Sequence, residues 1–306
     1  MQTWRPLFAN GYTGETCPTY EAVKNGVSKR CKSVRDHCEN LWADFWQHAD
    51  AHFLEQFPSR FHQRWFEMYL TVSLVRLGFP VESSECGPDI LTMINGRRVW
   101  IEAVCATKGQ PGRPDSIPET PIGEVREVPI RQYVMRLRSS AEEKARKFQD
   151  YIYRNTVAPD DLTVVAISGG EIPSLSKDLD ECIMRSVYGI GNPVVSIDRM
   201  SGKVVGTGRE TEATVRKYSG TSVGVQCFID GSMAHISAIL GSGANAFNRP
   251  AELGDDYVIY PNLTANAPMP SDVFPLGLEW TFRETSDGWS GSRAQSSVQD
   301  KHRSVR

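Results

Sequence analysis

The chain has 306 residues, 34 of them Lys or Arg against 37 Asp or Glu, for a net charge of −3. That length can bury a substantial core as one large domain or two intimate ones, and the charge balance leaves no global basic signature, so a nucleic-acid contact would have to come from a local patch. No apolar run reaches the ~18 residues of a membrane span, MQTWRPLFANGYTGETC lacks an apolar signal core, and the seven cysteines lack framework spacing, so a cytoplasmic, reducing, bacterial setting is expected.

In chain order, Tyr20 to Leu77 reads as helix with a break near Pro58. Cys31 and Cys38 recur at the seven-residue spacing of a helix stripe with Val34, Leu41 and Trp42. With Cys17 and His48 they supply zinc-ligand residue types, but no CxxC pair supports zinc, and cysteine is among the most buried residue types. Core packing is the reading.

The next segment is FHQRWFEMYLTVSLVRLGF, Phe61 to Phe79. Leu70, Thr71, Leu74 and Leu77 follow Glu67 at spacings of three, four, seven and ten, which puts Glu67 on the leucine stripe of a helix. Trp65, Tyr69 and Val72 make a second stripe, so the helix is expected to be well buried. A buried glutamate without a partner costs several kcal/mol or stays protonated. Two readings stand: a salt bridge to Arg64 or another arginine, or an acidic group beside a cation.

GPDILTMINGRRVWIEAVCATKG, Gly87 to Gly109, places Asn95-Gly96 between two β-rich runs. That dipeptide is the signal of a two-residue type I′ hairpin. The turn sets Ile94 against Arg97, Met93 against Arg98, Leu91 against Trp100 and Asp89 against Glu102. By alternation all but the first pair share one face. Like charges directly opposite destabilise a hairpin; a divalent cation between them would make the pair favourable, since Mg²⁺ is held by one or two carboxylates plus waters and phosphates. The plainer readings are an exposed strand end or neutralisation by Arg98.

KGQPGRPDSIPETPIGEVREVP, Lys108 to Pro129, is too long for a passive connector and is read as a cover, a segment that orders on substrate, or a mobile loop. A crossover helix is expected over Arg138 to Asn155, its core face marked by Val134, Leu137, Ala141, Phe148 and Ile152, with Lys144 on that face. Lys144 either enters a site or snorkels to solvent. Arg126, Arg131, Arg136, Arg138, Lys144, Arg146 and Lys147 form the densest basic stretch; Glu142 and Glu143 interleave, which favours a solvated face over a phosphate patch. DLTVVAISGG, Asp161 to Gly170, is a buried strand ending in a plain turn. NPVVSID, KVVGTG, SVGVQCFID, HISAILGS and DDYVIYPN are further β segments, with helix near Leu179 to Val187; His235 is assigned no role. The polar tail from Glu284 is expected to be disordered. No phosphate loop, GxSxG or HExxH is present.

A helix with a glutamate, then Gly-Pro-Asp on a strand, a hairpin, and a strand carrying Ile-Glu-Ala resembles the PD-(D/E)XK nuclease superfamily over about Phe53 to Ser168. The resemblance implies an α/β restriction-endonuclease-like αβββαβ core in which Asp89, after Pro88, and Glu102 hold Mg²⁺ (or Mn²⁺) and Glu67 assists. It departs at Val104, where the family carries a lysine. Lys108 lies about 20 Å along an extended strand, so Lys144 is the substitute. The expected division is a helical N-terminal extension over 1–52, the core over 53–170, a C-terminal α/β extension with additional β segments over 171–283 and the tail over 284–306. The expected activity is metal-dependent phosphodiester hydrolysis with nucleic acid, DNA first, as partner; a homodimer is left open. The alternative is an inactive member of the fold that binds nucleic acid or a protein.

Overall fold

A computed structural model describes residues 4–9, 12–83, 86–119, 123–125, 127–172, 174–271, 273–285 and 288–295. Four helices come first: α1 Pro18–Lys24, α2 Lys29–Phe45, α3 Phe53–Gln56 and α4 Phe61–Arg76. The chain then enters β1 Val81–Glu82, β2 Ile90–Ile94 and β3 Arg97–Cys105, crosses through α5 Ile130–Tyr153, and returns on β4 Leu162–Ser168. After α6 Leu179–Val187 come β5 Ile190–Ile197, β6 Val204–Thr211, β7 Thr214–Arg216, β8 Ser222–Gly224, β9 Ala238–Ser242, β10 Tyr257–Pro261, β11 Leu278–Thr285 and β12 Gly288–Gln295. The protein is thus mixed α/β.

One sheet runs β1-β2-β3-β4-β9-β10-β11-β12. β3, β4 and β9 are mutually parallel, while β1, β2 and β3 form an antiparallel meander. Asn95 and Gly96 have φ of 50° and 76°, the left-handed pair a type I′ turn requires. The expected register follows: Ile94 opposes Arg97, Met93 opposes Arg98 and Leu91 opposes Trp100.

Helices cover both faces. Val99, Ile101 and Ala103 of β3 join one buried cluster with Trp42, Trp65, Phe66 and Tyr69 from α2 and α4; Trp100 joins another with Tyr133, Leu137 and Phe148 from α5. α4 is apolar around most of its circumference because it is wedged between the sheet and α2. α2 starts at Ser28, whose hydroxyl accepts from the Cys31 amide at 3.1 Å, an N-cap worth about 1 kcal/mol. Cys31 and Cys38 are buried on its inner side, as expected.

Three sequence expectations change. α5 begins at Ile130 rather than Arg138, because Tyr133, Val134 and Leu137 already belong to its buried stripe. His235 lies in a turn, not a strand, and its ring Nε2 donates to the Ala145 carbonyl of α5 at 2.9 Å. The tail is not disordered from Glu284: β11 and β12 pair from Leu278–Gln295 to Thr285–Gly288. Trp280 and Phe282 pack against the α5-side cluster, and Arg293 reaches Asp180 at 2.6 Å, anchors that the polar composition conceals. Residues 296–306 lie outside the described part. The later β segments extend the main sheet through β9 to β12, while β5–β6 and β7–β8 form separate two-stranded ribbons. No helix among the described residues is long and apolar enough to cross a membrane.

Candidate active site at the end of the β2–β3 hairpin

The site arises because β3 outlasts β2. Their pairing stops at Ile90–Ile101, yet β3 continues to Cys105 beside β4. Beyond that point the β2-side backbone of β3 has no strand partner, and side chains take over. The Asp89 carboxylate accepts from the Ala103 amide at 2.8 Å. Gln63 of α4 donates to the Ala103 carbonyl at 3.1 Å and accepts from the Cys105 amide at 2.6 Å. Buried backbone groups are almost always paired, so this gap fixes where Asp89 and Gln63 must sit. It also lets groups from both helical layers approach one another past the sheet.

Glu102 lies between Trp100 and Val104 on the α5 face and is 1% exposed. Three donors from α5 converge on it. Lys144 Nζ is 2.5 Å and Lys147 Nζ 3.4 Å from Oε2, and Tyr151 Oη donates to Oε1 at 3.0 Å. Lys144 also lies 3.7 Å from Asp89, so one ammonium bridges the two hairpin carboxylates. Burial opposes the Lys144 charge, but Asp89 and Glu102 outweigh it and hold the ammonium above its ordinary value. Burial raises the Asp89 carboxyl; the Lys144 charge works against that rise and Glu102 adds to it. Burial and the neighbouring Glu102 carboxylate keep Tyr151 a phenol.

Glu67 comes from α4, in the opposite layer. Its carboxylate is held by Arg64 at 2.7 Å, and the same guanidinium reaches Asp50 at 2.7 Å and Gln56 at 2.6 Å. Burial, then the Asp89 charge, pushes the Glu67 carboxyl up to about 7 despite Arg64. Of the four sequence candidates, the structure therefore brings Asp89, Glu102 and Lys144 into contact. Glu67 is within electrostatic reach of Asp89, in the salt bridge with Arg64 that was the plainer reading.

Among the described residues no group of three or more His, Cys, Asp or Glu is arranged to hold a metal ion. The two hairpin carboxylates, Asp89 and Glu102, instead share the Lys144 ammonium, at 3.7 and 2.5 Å. Burial holds the Cys38 thiol well above its ordinary value, and none of the seven cysteines is in a disulfide.

Lys147 was read only as part of the basic stretch, and Tyr151 and Gln63 were not singled out by the sequence reading. Lys147 and Tyr151 follow Lys144 at three and seven positions, the spacing of one helix face, so that signal was present for the α5 pair. Gln63 carried none, because its role depends on where β2 stops. Lys108 pairs with Glu119 at 4.0 Å, while Ile117 of the same loop is buried and its amide bonds the Lys108 carbonyl. Arg98 pairs with Asp161 at 3.5 Å instead of neutralising Asp89. Within the basic stretch, Arg131 stacks over Tyr218, Arg136 donates to Thr107, and Arg138 donates to the Gly224 carbonyl and Glu142. These arginines tether loops to α5; Arg126 lies outside the described residues. The glycines after β4 also have a structural explanation, since a Cβ on Gly170 would meet the Ala244 carbonyl at 2.3 Å.

Set against protein-family models, curated proteins and solved structures, the chain matches none of them.

Proposed function

We propose that the chain is a divalent-cation-dependent nuclease on a restriction-endonuclease-like core, hydrolysing phosphodiester bonds with DNA as the first substrate class. The observation that carries this reading is the convergence of Asp89, Glu102 and Lys144 where β2 ends. The order α4-β1-β2-β3-α5-β4 supports it, being the αβββαβ order that the PD-(D/E)XK resemblance implies. The lysine absent at Val104 has a counterpart in Lys144, which reaches the glutamate from the crossover helix.

Asp89 and Glu102 would hold Mg²⁺ or Mn²⁺, which when bound supplies a water of lowered pKa and electrostatic stabilisation of the phosphate. The residues of the chain divide the remaining work. Lys144 stays protonated through the neutral range, so it is no general base; its part is to stabilise negative charge on the phosphate. Tyr151 and Lys147 hold Glu102 in a single orientation. Gln63 fixes the edge of β3 beyond its pairing with β2, and with it the spacing between Asp89 and Glu102.

A second reading is favoured by one observation. Glu102 already has two ammonium groups within 3.4 Å and Glu67 has Arg64, a degree of internal compensation that suits an inactive member of the fold binding nucleic acid or a protein. The test is incubation of the purified chain with plasmid, single-stranded DNA and RNA in Mg²⁺ and in Mn²⁺, alongside Lys144→Ala and Glu102→Gln. Loss of a charge-stabilising group lowers such a rate by about 10²–10³-fold. Cleavage by the wild type that both variants retain would remove the assignment; no cleavage under any condition, with no calorimetric binding of either ion, would leave the binding-only reading.

A further inference from the structure

The chain carries a net charge of −3, yet one corner of it is the reverse. From Lys24 to Arg35, across the turn between α1 and α2, the sequence KNGVSKRCKSVR holds five cations and no carboxylate. Lys29, Arg30, Lys32 and Arg35 are exposed and Lys24 is half-buried. Among the described residues none of the five forms an ion pair, and the flanking Glu21 accepts from the Asn25 side chain at 3.2 Å instead. The basic stretch of α5 differs, since Arg138 meets Glu142 there and Lys144 and Lys147 meet Glu102.

This arrangement works against the fold. Lys29, Arg30 and Lys32 occupy the first turn of α2, which has no acidic residue, and the helix macrodipole favours anions at that end. Lys29, Lys32 and Arg35 follow one another at three-residue steps, and like charges on neighbouring turns of a helix repel. The side chains are nevertheless held in place. Arg30 donates to the Phe247 carbonyl at 3.0 Å and lies over the Phe247 ring; Arg35 donates to the Lys24 carbonyl at 3.1 Å and lies over the Phe8 ring. The Lys32 stem covers Gly26, whose φ is 58° and where a Cβ would come within 3.0 Å of Lys32 Cγ. Cations fixed in position, repelling one another and left without counter-charges, form a surface complementary to a polyanion.

We propose that this corner is where the phosphate backbone of a nucleic acid docks. The inference rests on the reading of nucleic acid as the partner, not on cleavage. Its place suits that reading. The Phe247 amide donates to Asn245, and the Asn245 side chain donates to the Gly170 carbonyl, two residues past the end of β4; β4 ends beside Cys105, the last residue of β3. Arg30 is thereby tied to the end of the sheet at which β3 outruns β2 and the candidate site forms. The five side chains make the contact, since Ser28 already occupies the Cys31 amide. Such a contact positions the partner without reading its bases. A lipid surface fits less well, because insertion needs an apolar face and Val27 is the only large apolar side chain exposed between Lys24 and Arg35. A protein partner fits less well for the same reason, interface cores being apolar and poor in lysine.

Fluorescence anisotropy of labelled duplex DNA, single-stranded DNA and RNA measures the affinity over a range of salt, in EDTA so that no metal-dependent cleavage intervenes. Lys24→Ala, Lys29→Ala and Lys32→Ala together should lower the slope of log affinity against log salt by about three, since each phosphate contact contributes about 0.9. The change should be the same for unrelated sequences, and affinity at about 0.1 M salt should fall roughly 100-fold. Lys203→Ala, exposed beside the start of β6, should change neither. Lys29→Glu with Lys32→Glu should weaken binding and yet raise Tm, because glutamate suits the start of a helix; a merely structural role would lower Tm. The proposal is overturned if the wild type binds none of the three nucleic acids at low salt, or if the triple substitution leaves the slope unchanged. Capture of phosphatidylserine vesicles or polyglutamate in place of nucleic acid overturns it as well. A chain that cuts DNA, and whose triple variant binds as the wild type does, keeps the nuclease reading and removes this inference. A chain that binds through these cations and never cuts does the reverse.

Discussion

Glu67 and Glu102 are two buried glutamates on opposite faces of one sheet, and the molecule treats them differently. Glu102 faces α5, which sends it two ammonium groups and a phenol. Glu67 faces a single guanidinium that it shares with Asp50, and the Asp89 charge works against it. Burial alone makes a carboxylate costly; the partners decide whether it remains charged. Glu102 is thereby held in one geometry by three donors, whereas Glu67 is poised to take a proton near neutrality. Under the nuclease reading, that difference gives Glu102 the stronger claim to hold a cation and Glu67 the role of a titratable neighbour.

The most severe way to break the comparison is to take Lys144 away. Removing one partner of a buried ion pair costs about 3–5 kcal/mol, because the other charge is left uncompensated. Lys144→Ala should therefore lower stability in urea by about 3 kcal/mol, at the lower end of that range because Lys147 remains beside Glu102. Under the nuclease reading, Mg²⁺ or Mn²⁺ should restore part of the loss as a rise in Tm, since a ligand that binds only the native state stabilises it. A variant as stable as the wild type would show that the Lys144–Glu102 pair contributes nothing to folding.

The next largest effect concerns Glu67 and pH. Its folded-state carboxyl lies near 7 against an ordinary 4.5, so the native state binds this proton more tightly than the unfolded chain. Stability from this group is therefore present below about pH 4.5 and lost as pH rises through about 7. The loss is on the order of 3 kcal/mol. Glu67→Gln should flatten that part of the pH–stability curve while retaining a bond to Arg64. A curve of unchanged slope between pH 4.5 and 7 would mean that Arg64 keeps Glu67 ionised throughout.

The two glutamates also differ in how far the sequence revealed them. Asn95-Gly96 fixed the register, and with it the face of Glu102, because a type I′ turn admits only one alignment of its strands. Helical count put Lys144 on the buried side of α5, and the buried strand of Asp161 to Gly170 was legible from its apolar run. Glu67 was placed correctly on α4 as buried, but its partner could not be chosen, since that depends on Arg64 bending back within its own helix and on Asp50 arriving from a separate segment. The role of Gln63 was hidden for the same reason: it is set by where β2 ends in space. The strands β11 and β12 were missed because Ser- and Gly-rich composition resembles disorder when the anchoring contacts, such as Arg293 to Asp180, are distant in sequence.

Tyr151→Phe tests the α5 side more gently. A hydrogen bond to a charged group contributes about 1.5–3 kcal/mol, and Tyr151 is only partly buried, so a loss near 1.5 kcal/mol is expected in the denaturant midpoint. The larger consequence should be on Glu102 itself, whose Oε1 would lose its phenol donor. Under the nuclease reading, divalent-ion affinity by calorimetry should change in Tyr151→Phe, and a variant with unaltered affinity would mean that the phenol does not position the carboxylate.

Lys147→Ala should have the smallest effect on stability and separates the two proposed functions from a purely structural role. Its side chain is 46% exposed, against 8% for Lys144, although both point at the same carboxylate oxygen. Water screens so open a pair, and exposed ion pairs are worth about 0–1 kcal/mol. The ammonium therefore has little influence on folding, yet it lies at the solvent side of Glu102, where a phosphate would arrive. If nucleic acid binds there, Lys147→Ala should weaken binding about equally for all sequences and reduce the slope of log affinity against log salt by about one. Fluorescence anisotropy with a short duplex at several salt concentrations measures that slope directly. A slope unchanged in Lys147→Ala would place the phosphate backbone elsewhere, and would leave Lys147 as a second, weakly coupled counter-charge to Glu102.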